Sequence, residues 1–126
     1  MSKVILLAED DQMIQRLLKR MITRAGFEGE IEVCEDSRAA LEFIEETSAE
    51  IVLALMDTSL HPEGDAAFAE EIKNRVPSIK LVASSGHSES DLRGPSHFGD
   101  IDLDGVLSKP FGMQDVKDLL SRLGLT

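Results

Sequence analysis

One cysteine, Cys34, is all that 126 residues offer to disulfide chemistry, so no intrachain bridge can form. A reducing cytoplasm is the simplest home for such a chain, and a small core residue is the simplest role for the thiol. Basic residues are scarce as well, 13 against 24 acids, for a net charge of −11. Nucleic acid and anionic membranes are gripped by clustered Lys and Arg, so neither is an expected partner. A site that attracts cations suits this sign better. No apolar run approaches the length of a bilayer crossing, and Met1-Ser2-Lys3 leads straight into a strand-like segment. Repeats, linkers and low-complexity tracts are missing too. The chain leaves little room for a second core, so residues 1–126 are expected to form one domain.

What the sequence does have is a set of short apolar runs that end abruptly in polar side chains. Ile51–Met56 is one, closed by Asp57-Thr58-Ser59. An uninterrupted run of this length reads as a strand buried on both faces, the habit of parallel sheets. Val4–Ala8 is a second, closed by Glu9-Asp10-Asp11; Ile79–Ala83 is a third, closed by Ser84-Ser85-Gly86. A short strand around Val106-Leu107 runs into Lys109-Pro110-Phe111, and Ile31–Cys34 alternates as a strand nearer the sheet edge does. Between them lie helical spacings. Met13, Leu17 and Met21 form one stripe and Ile14, Leu18 and Ile22 another, before Gly26. Asp36-Ser37 caps a helix carrying Ala40, Leu41 and Ile44. Gly64-Asp65 opens one carrying Phe68, Ile72 and Val76. A helix begun at Ser88 should stop at Gly94-Pro95 after roughly a turn or two. Met113–Leu123 ends the series, with Val116, Leu119, Leu120 and Leu123 inward and Gly124 as cap. Five strand–helix units in alternation predict an α/β fold, a doubly wound parallel sheet.

All strand carboxyl ends of such a sheet share one edge, so Glu9, Asp10, Asp57, Ser85 and Lys109 should converge there. In a 2-1-3-4-5 order, strands one and three flank the crevice at the switch point. Carboxylates crowded in that way repel one another and call for a cation. Mg²⁺ fits, being hard and satisfied by one or two carboxylates plus phosphate oxygens. A carboxylate nucleophile at Asp57, a divalent ion, the point charge of Lys109 and the Ser85 hydroxyl are the parts needed to put a phosphoryl group on an aspartate. Each residue taken singly has a plainer explanation: Glu9-Asp10-Asp11 as helix caps, Asp57 and Lys109-Pro110 as turns, Ser84-Ser85-Gly86 as a loop. The order of the set carries the case.

Val4-Ile5-Leu6-Leu7-Ala8-Glu9-Asp10-Asp11, Leu55-Met56-Asp57, Val82-Ala83-Ser84-Ser85-Gly86 and Leu107-Ser108-Lys109-Pro110-Phe111 together resemble the response-regulator receiver domain of two-component signalling. The likeness covers essentially the whole chain and implies a five-stranded flavodoxin-like sheet. It implies that Asp57 takes a phosphoryl group from the phosphohistidine of a histidine kinase or a histidine phosphotransfer protein. Glu9, Asp10, Asp57 and the Ser59 backbone carbonyl would hold Mg²⁺, for which Mn²⁺ could substitute. Ser85 would occupy the Ser/Thr switch position and Lys109 would contact the phosphoryl group, with a cis peptide before Pro110. The implied behaviour is a two-state switch read by a downstream protein target, in a monomer or a phosphorylation-dependent dimer. The only chemistry expected is gain and loss of the domain's own phosphate. No output domain falls within these residues, so the chain works as a stand-alone receiver or was cut from a larger regulator. The likeness stops at three places: Val106, where the family commonly has an aromatic; His61 before Pro62, with the usual Asp-Gly order reversed; and the fourth helix, broken at Gly94-Pro95.

Asp100-Ile101-Asp102-Leu103-Asp104-Gly105 begins like an EF-hand loop, but its twelfth position is Phe111 rather than Glu. His61, His87 and His97 are too scattered for a metal site by spacing, and surface or loop roles are expected; His87, two after Ser85, could lie near the path of water to a phosphoryl group. An aspartate-nucleophile phosphatase would want an acid two residues after the nucleophile, where this chain has Ser59. A receiver-like interaction module that is never phosphorylated is the other alternative.

Overall fold

The computed structural model describes residues 2–94 and 97–126. Five parallel strands form one sheet in the order β2-β1-β3-β4-β5. In chain order they are β1 (Lys3–Ala8), β2 (Glu30–Cys34), β3 (Glu50–Asp57), β4 (Lys80–Ser85) and β5 (Gly105–Ser108). Helices α1 (Gln12–Arg24), α2 (Ser37–Glu46), α3 (Asp65–Arg75), α4 (Glu89–Leu92) and α5 (Met113–Arg122) connect and follow them. Between their polar ends the central strands are apolar, because both faces are covered. On one face Ile5, Leu7, Leu53 and Leu55 meet Leu18 and Ile22 of α1 and Val116 and Leu120 of α5. On the other, Leu6, Ala54 and Met56 meet Ala40 and Ile44 of α2, Phe68 and Ile72 of α3, and Leu92 and Phe98 around α4. Val106 is half-buried against that second cluster.

Cys34 is a buried core residue at the end of an edge strand. Burial, with the charges of Glu32 and Asp36 beside it, pushes its thiol up to about 11, so it is no nucleophile near neutral pH. The two apolar stripes of α1 have different fates. Leu18 and Ile22 are buried, whereas Met13 is 76% and Leu17 41% exposed, and they are the exposed large hydrophobic residues among those described. Spacing could not choose between the stripes, since each recurs every four residues; docking of α1 against the sheet made the choice. The fourth helix is one turn, Glu89–Leu92, capped by Ser88 through Asp91 N–H at 3.2 Å. Of the expected break at Gly94-Pro95, Pro95 lies outside the described residues.

Candidate functional site

Register brings the polar residues together. Ala8 of β1 is paired with Met56 of β3, so the next residues, Glu9 and Asp57, emerge side by side. Asp57 is paired with Ser84, Ser84 with Leu107, and Ser85 with Ser108. Lys109 follows, its N–H donating to the Ser85 carbonyl at 2.8 Å. The chain leaves β1 for β2 on one side and returns to β3 on the other, so the crevice of the switch point opens at Glu9 and Asp57.

Carboxylate oxygens of Glu9, Asp10 and Asp57 all lie within 4.8 Å of one another. Lys109 Nζ sits 3.0 Å from Asp57 Oδ1 and 3.3 Å from Glu9 Oε1. Glu9 is 1% exposed. Burial pushes its carboxyl up to about 7; the Asp11 N–H it accepts at 3.1 Å opposes this, the charge of Asp57 adds to it, and Lys109 offsets part. Burial also works against the Lys109 ammonium, yet the hydrogen bond and charge of Asp57, and then those of Glu9, leave it above its ordinary value. One lysine thus pairs with two of the three clustered carboxylates, which leaves the cluster short of positive charge. The plainer explanation of Glu9-Asp10-Asp11 accounts for one residue only: Asp11 caps α1, its Oδ1 accepting from Met13 and Ile14 N–H at 2.9 and 3.2 Å. Glu9 and Asp10 are left for the pocket.

Ser85 is buried, and its hydroxyl accepts the N–H of His87 at 3.0 Å. Ser59 has φ +66°, the positive value among the described non-glycine residues. That conformation costs about 1–2 kcal/mol for a residue with a Cβ, and its N–H donates to Asp65 Oδ1 at 2.7 Å. The Lys109–Pro110 peptide is cis. Each residue named from the sequence therefore stands at this edge of the sheet, with Glu9, Asp10 and Asp57 clustered and Lys109 paired to Glu9 and Asp57.

Three features were not read from the sequence. Ser84, in register beside Asp57, is buried with a hydroxyl that finds no partner among the described residues; the Ser84-Ser85 doublet was its only signal. His61 sits in a loop but is not at the free surface: Nδ1 is 2.8 Å from Ser37 Oγ and the ring stacks on Phe68 at 5.7 Å. Its Nε2 is 2.9 Å from Glu71 Oε2 but off the line a hydrogen bond needs. His97 is likewise engaged, with Asp65, and its ring lies 4.6 Å from that of His87.

Comparison with known proteins agrees with this geometry. The chain is 29% identical over 114 residues to hybrid signal transduction histidine kinase I of Dictyostelium discoideum, a match that covers 84% of this chain and 6% of that protein. Among solved structures, it superposes on the signal receiver domain of an HD domain-containing protein from Pseudomonas fluorescens Pf-5 with TM-score 0.80 at 19% identity, over 98% of this chain and 94% of the other. The chemotaxis response regulator CheY4 of Vibrio cholerae matches with TM-score 0.76 at 19% identity, over 98% of both chains. The receiver domain of a sensor histidine kinase from Pseudomonas aeruginosa PAO1, a structure with magnesium coordinated in its active-site cleft, gives 0.76 at 20% identity over 98% and 99%. The family profile of the response regulator receiver domain matches residues 5–121, and the chain belongs to that family of phosphoacceptor signalling domains.

Proposed function

We propose that Asp57 is the phosphoacceptor and that Glu9, Asp10 and Asp57, with the Ser59 carbonyl, hold the Mg²⁺ that the reaction requires, Mn²⁺ being able to replace it. The observation that carries this reading is the cluster of three carboxylates within 4.8 Å, with Lys109 3.0 Å from one of them. All-oxygen donors in an open crevice fit a hard ion that keeps waters and accepts phosphate oxygens. Bound there, the ion supplies neutralisation of the charge on the phosphoryl oxygens. Asp57 Oδ attacks phosphorus, the P–N bond of the donor's phosphohistidine breaks, and its electron pair returns to the imidazole, which takes up a proton from water. Lys109 then exchanges a carboxylate partner for a phosphoryl oxygen. Ser85 gives up the N–H of His87 that its oxygen accepts and turns to donate its own O–H to the same group, which moves the loops after β4 and β5. The domain is a regulatory acceptor and acts on no external substrate. The test is acetyl phosphate with and without Mg²⁺, read by intact mass: one phosphoryl adduct is expected with the metal and none after chelation. An adduct that survives chelation overturns the metal assignment.

The phosphodonor docks, in this reading, on the outward face of α1, which starts where the acid pocket ends. Met13 and Leu17 are exposed there, beside a basic stripe of Arg16, Lys19, Arg20 and Arg24. In a chain of charge −11 such a stripe suits an acidic partner surface. Leu17→Asp is expected to slow transfer from phosphorylated histidine phosphotransfer proteins roughly tenfold, as loss of a central apolar anchor does. Labelling by acetyl phosphate should not change. Equal loss with both donors would show that the face serves the fold and not the donor.

A further inference from the structure

Outside the acid pocket, one buried carboxylate ties the loop after β3 to the segment beyond α4. Asp65 is 4% exposed at the first position of α3, and its two oxygens are divided between partners. Oδ1 accepts the Ser59 N–H at 2.7 Å, and Oδ2 lies 2.7 Å from Nδ1 of His97. A carboxylate only accepts, so Nδ1 carries the proton. His97 comes from the segment beyond α4, and its side chain is 14% exposed. Its backbone carbonyl accepts the N–H of Ala66 at 3.0 Å, so main chain and side chain both fasten it to the start of α3. His87, whose N–H holds the Ser85 hydroxyl, lies against the same ring.

The peptide at stake is that of Ser59. It is held at φ +66° without being glycine, so something must keep it there. With the Thr58–Ser59 peptide plane pinned through its N–H and φ fixed, the Ser59 carbonyl is one backbone torsion from being fully set. Asp65 does the pinning, and an aspartate free to change rotamer could not. His97 locks that rotamer by occupying the second oxygen. Partners of this kind, one bond behind a ligand, set the ligand's direction.

We propose that Asp65 and His97 are positioning residues for the metal site, fixing the Ser59 carbonyl for Mg²⁺; this rests on the reading of Ser59 as a ligand given above. Phosphoryl transfer itself uses neither side chain. Their loss therefore weakens the metal's hold and leaves the chemistry intact once the metal is saturating.

The test is a Mg²⁺ titration of the unphosphorylated chain, followed by amide NMR shifts at Glu9, Asp10, Asp57 and Ser59, with acetyl phosphate labelling measured over the same Mg²⁺ range. His97→Ala should raise the midpoint about tenfold, while the labelling rate at saturating Mg²⁺ stays that of the wild type. His97→Asn, whose amide N–H falls where Nδ1 is, should restore the midpoint. His97→Gln, whose amide reaches instead to the place of Nε2, should not, and this Asn–Gln contrast decides the matter even where the alanine variant folds poorly. An unchanged midpoint in His97→Ala, or equal behaviour of Asn and Gln, overturns the positioning role. A wild-type chain without Mg²⁺-dependent shifts at Glu9, Asp10 and Asp57 removes the metal site itself, and this inference with it.

Discussion

Asp57→Asn is expected to abolish phosphoryl labelling by acetyl phosphate in the presence of Mg²⁺, with intact mass showing only the unmodified chain. The loss should be complete, because a neutral amide removes both the nucleophilic electron pair and one of the three metal-directed carboxylates. The fold should survive. Asp57 ends β3 and is half-buried, not part of the core, so its strand pairing to Ser84 is through backbone groups that Asn retains. Lys109 would keep Glu9 at 3.3 Å as a partner, and relief of carboxylate repulsion should stabilise the metal-free chain slightly. Proteolysis of the labelled wild type and mass spectrometry should place the group on the peptide containing Asp57. Two other acids stand near enough to be modified in its place, Glu9 and Asp10. Glu9 is enclosed and tied to Lys109 and the Asp11 N–H, while Asp10 is exposed on the far side of the crevice from β4. Labelling that persisted in Asp57→Asn would move the acceptor to one of them and undo the proposed roles of Lys109 and Ser85.

The convergence of Glu9, Asp10, Asp57, Ser85 and Lys109 was legible in the sequence because two simple regularities meet there. Apolar runs announce buried parallel strands, and a parallel sheet delivers every strand's carboxyl end to one edge. Nothing more than strand order was needed to bring Glu9 and Lys109 together across a hundred residues. The same reasoning is blind to pairs made by loops. Asp65 and His97 meet because the chain beyond α4 folds onto the start of α3, and neither periodicity nor capping statistics encodes that. His61 is a similar case: a histidine before a proline reads as a surface turn, yet its ring fills the space between Ser37 and Phe68. The exposed Met13 and Leu17 show a third limit. Helical spacing states that a stripe exists and not which of two adjacent stripes the sheet accepts. Residues that contradict burial by composition, here two apolar side chains left in water beside the acid pocket, became informative only once the helix was docked.

Without metal, the chain is expected to lose stability as pH rises from about 4.5 to about 7. In the folded protein Glu9 keeps its proton up to about 7, whereas the unfolded chain releases it near the ordinary value of 4.5. Between those limits the folded state binds more protons than the unfolded state, so unfolding becomes easier with each step in pH. The total is on the order of 3 kcal/mol, spread over the window and level above it. Lys109 leaves this slope unchanged: its ammonium is raised above the ordinary value, so its stabilising contribution is fully present throughout and fades only in strongly alkaline solution. Urea denaturation at a series of pH values in a chelating buffer would show the decline, and Glu9→Gln should remove it, because the amide cannot ionise. Excess Mg²⁺ should act in the opposite sense. Proton and metal compete for the same carboxylate, so binding tightens as Glu9 ionises, and a ligand held by the folded state alone raises its stability by RT ln(1 + c/Kd), where c is the free Mg²⁺ concentration. The wild-type curve in Mg²⁺ is therefore expected to be flat or rising where the metal-free curve falls. Identical slopes for the wild type and Glu9→Gln would mean that the buried carboxyl is not the group that titrates. A wild-type slope indifferent to Mg²⁺ would mean that the cation does not reach it.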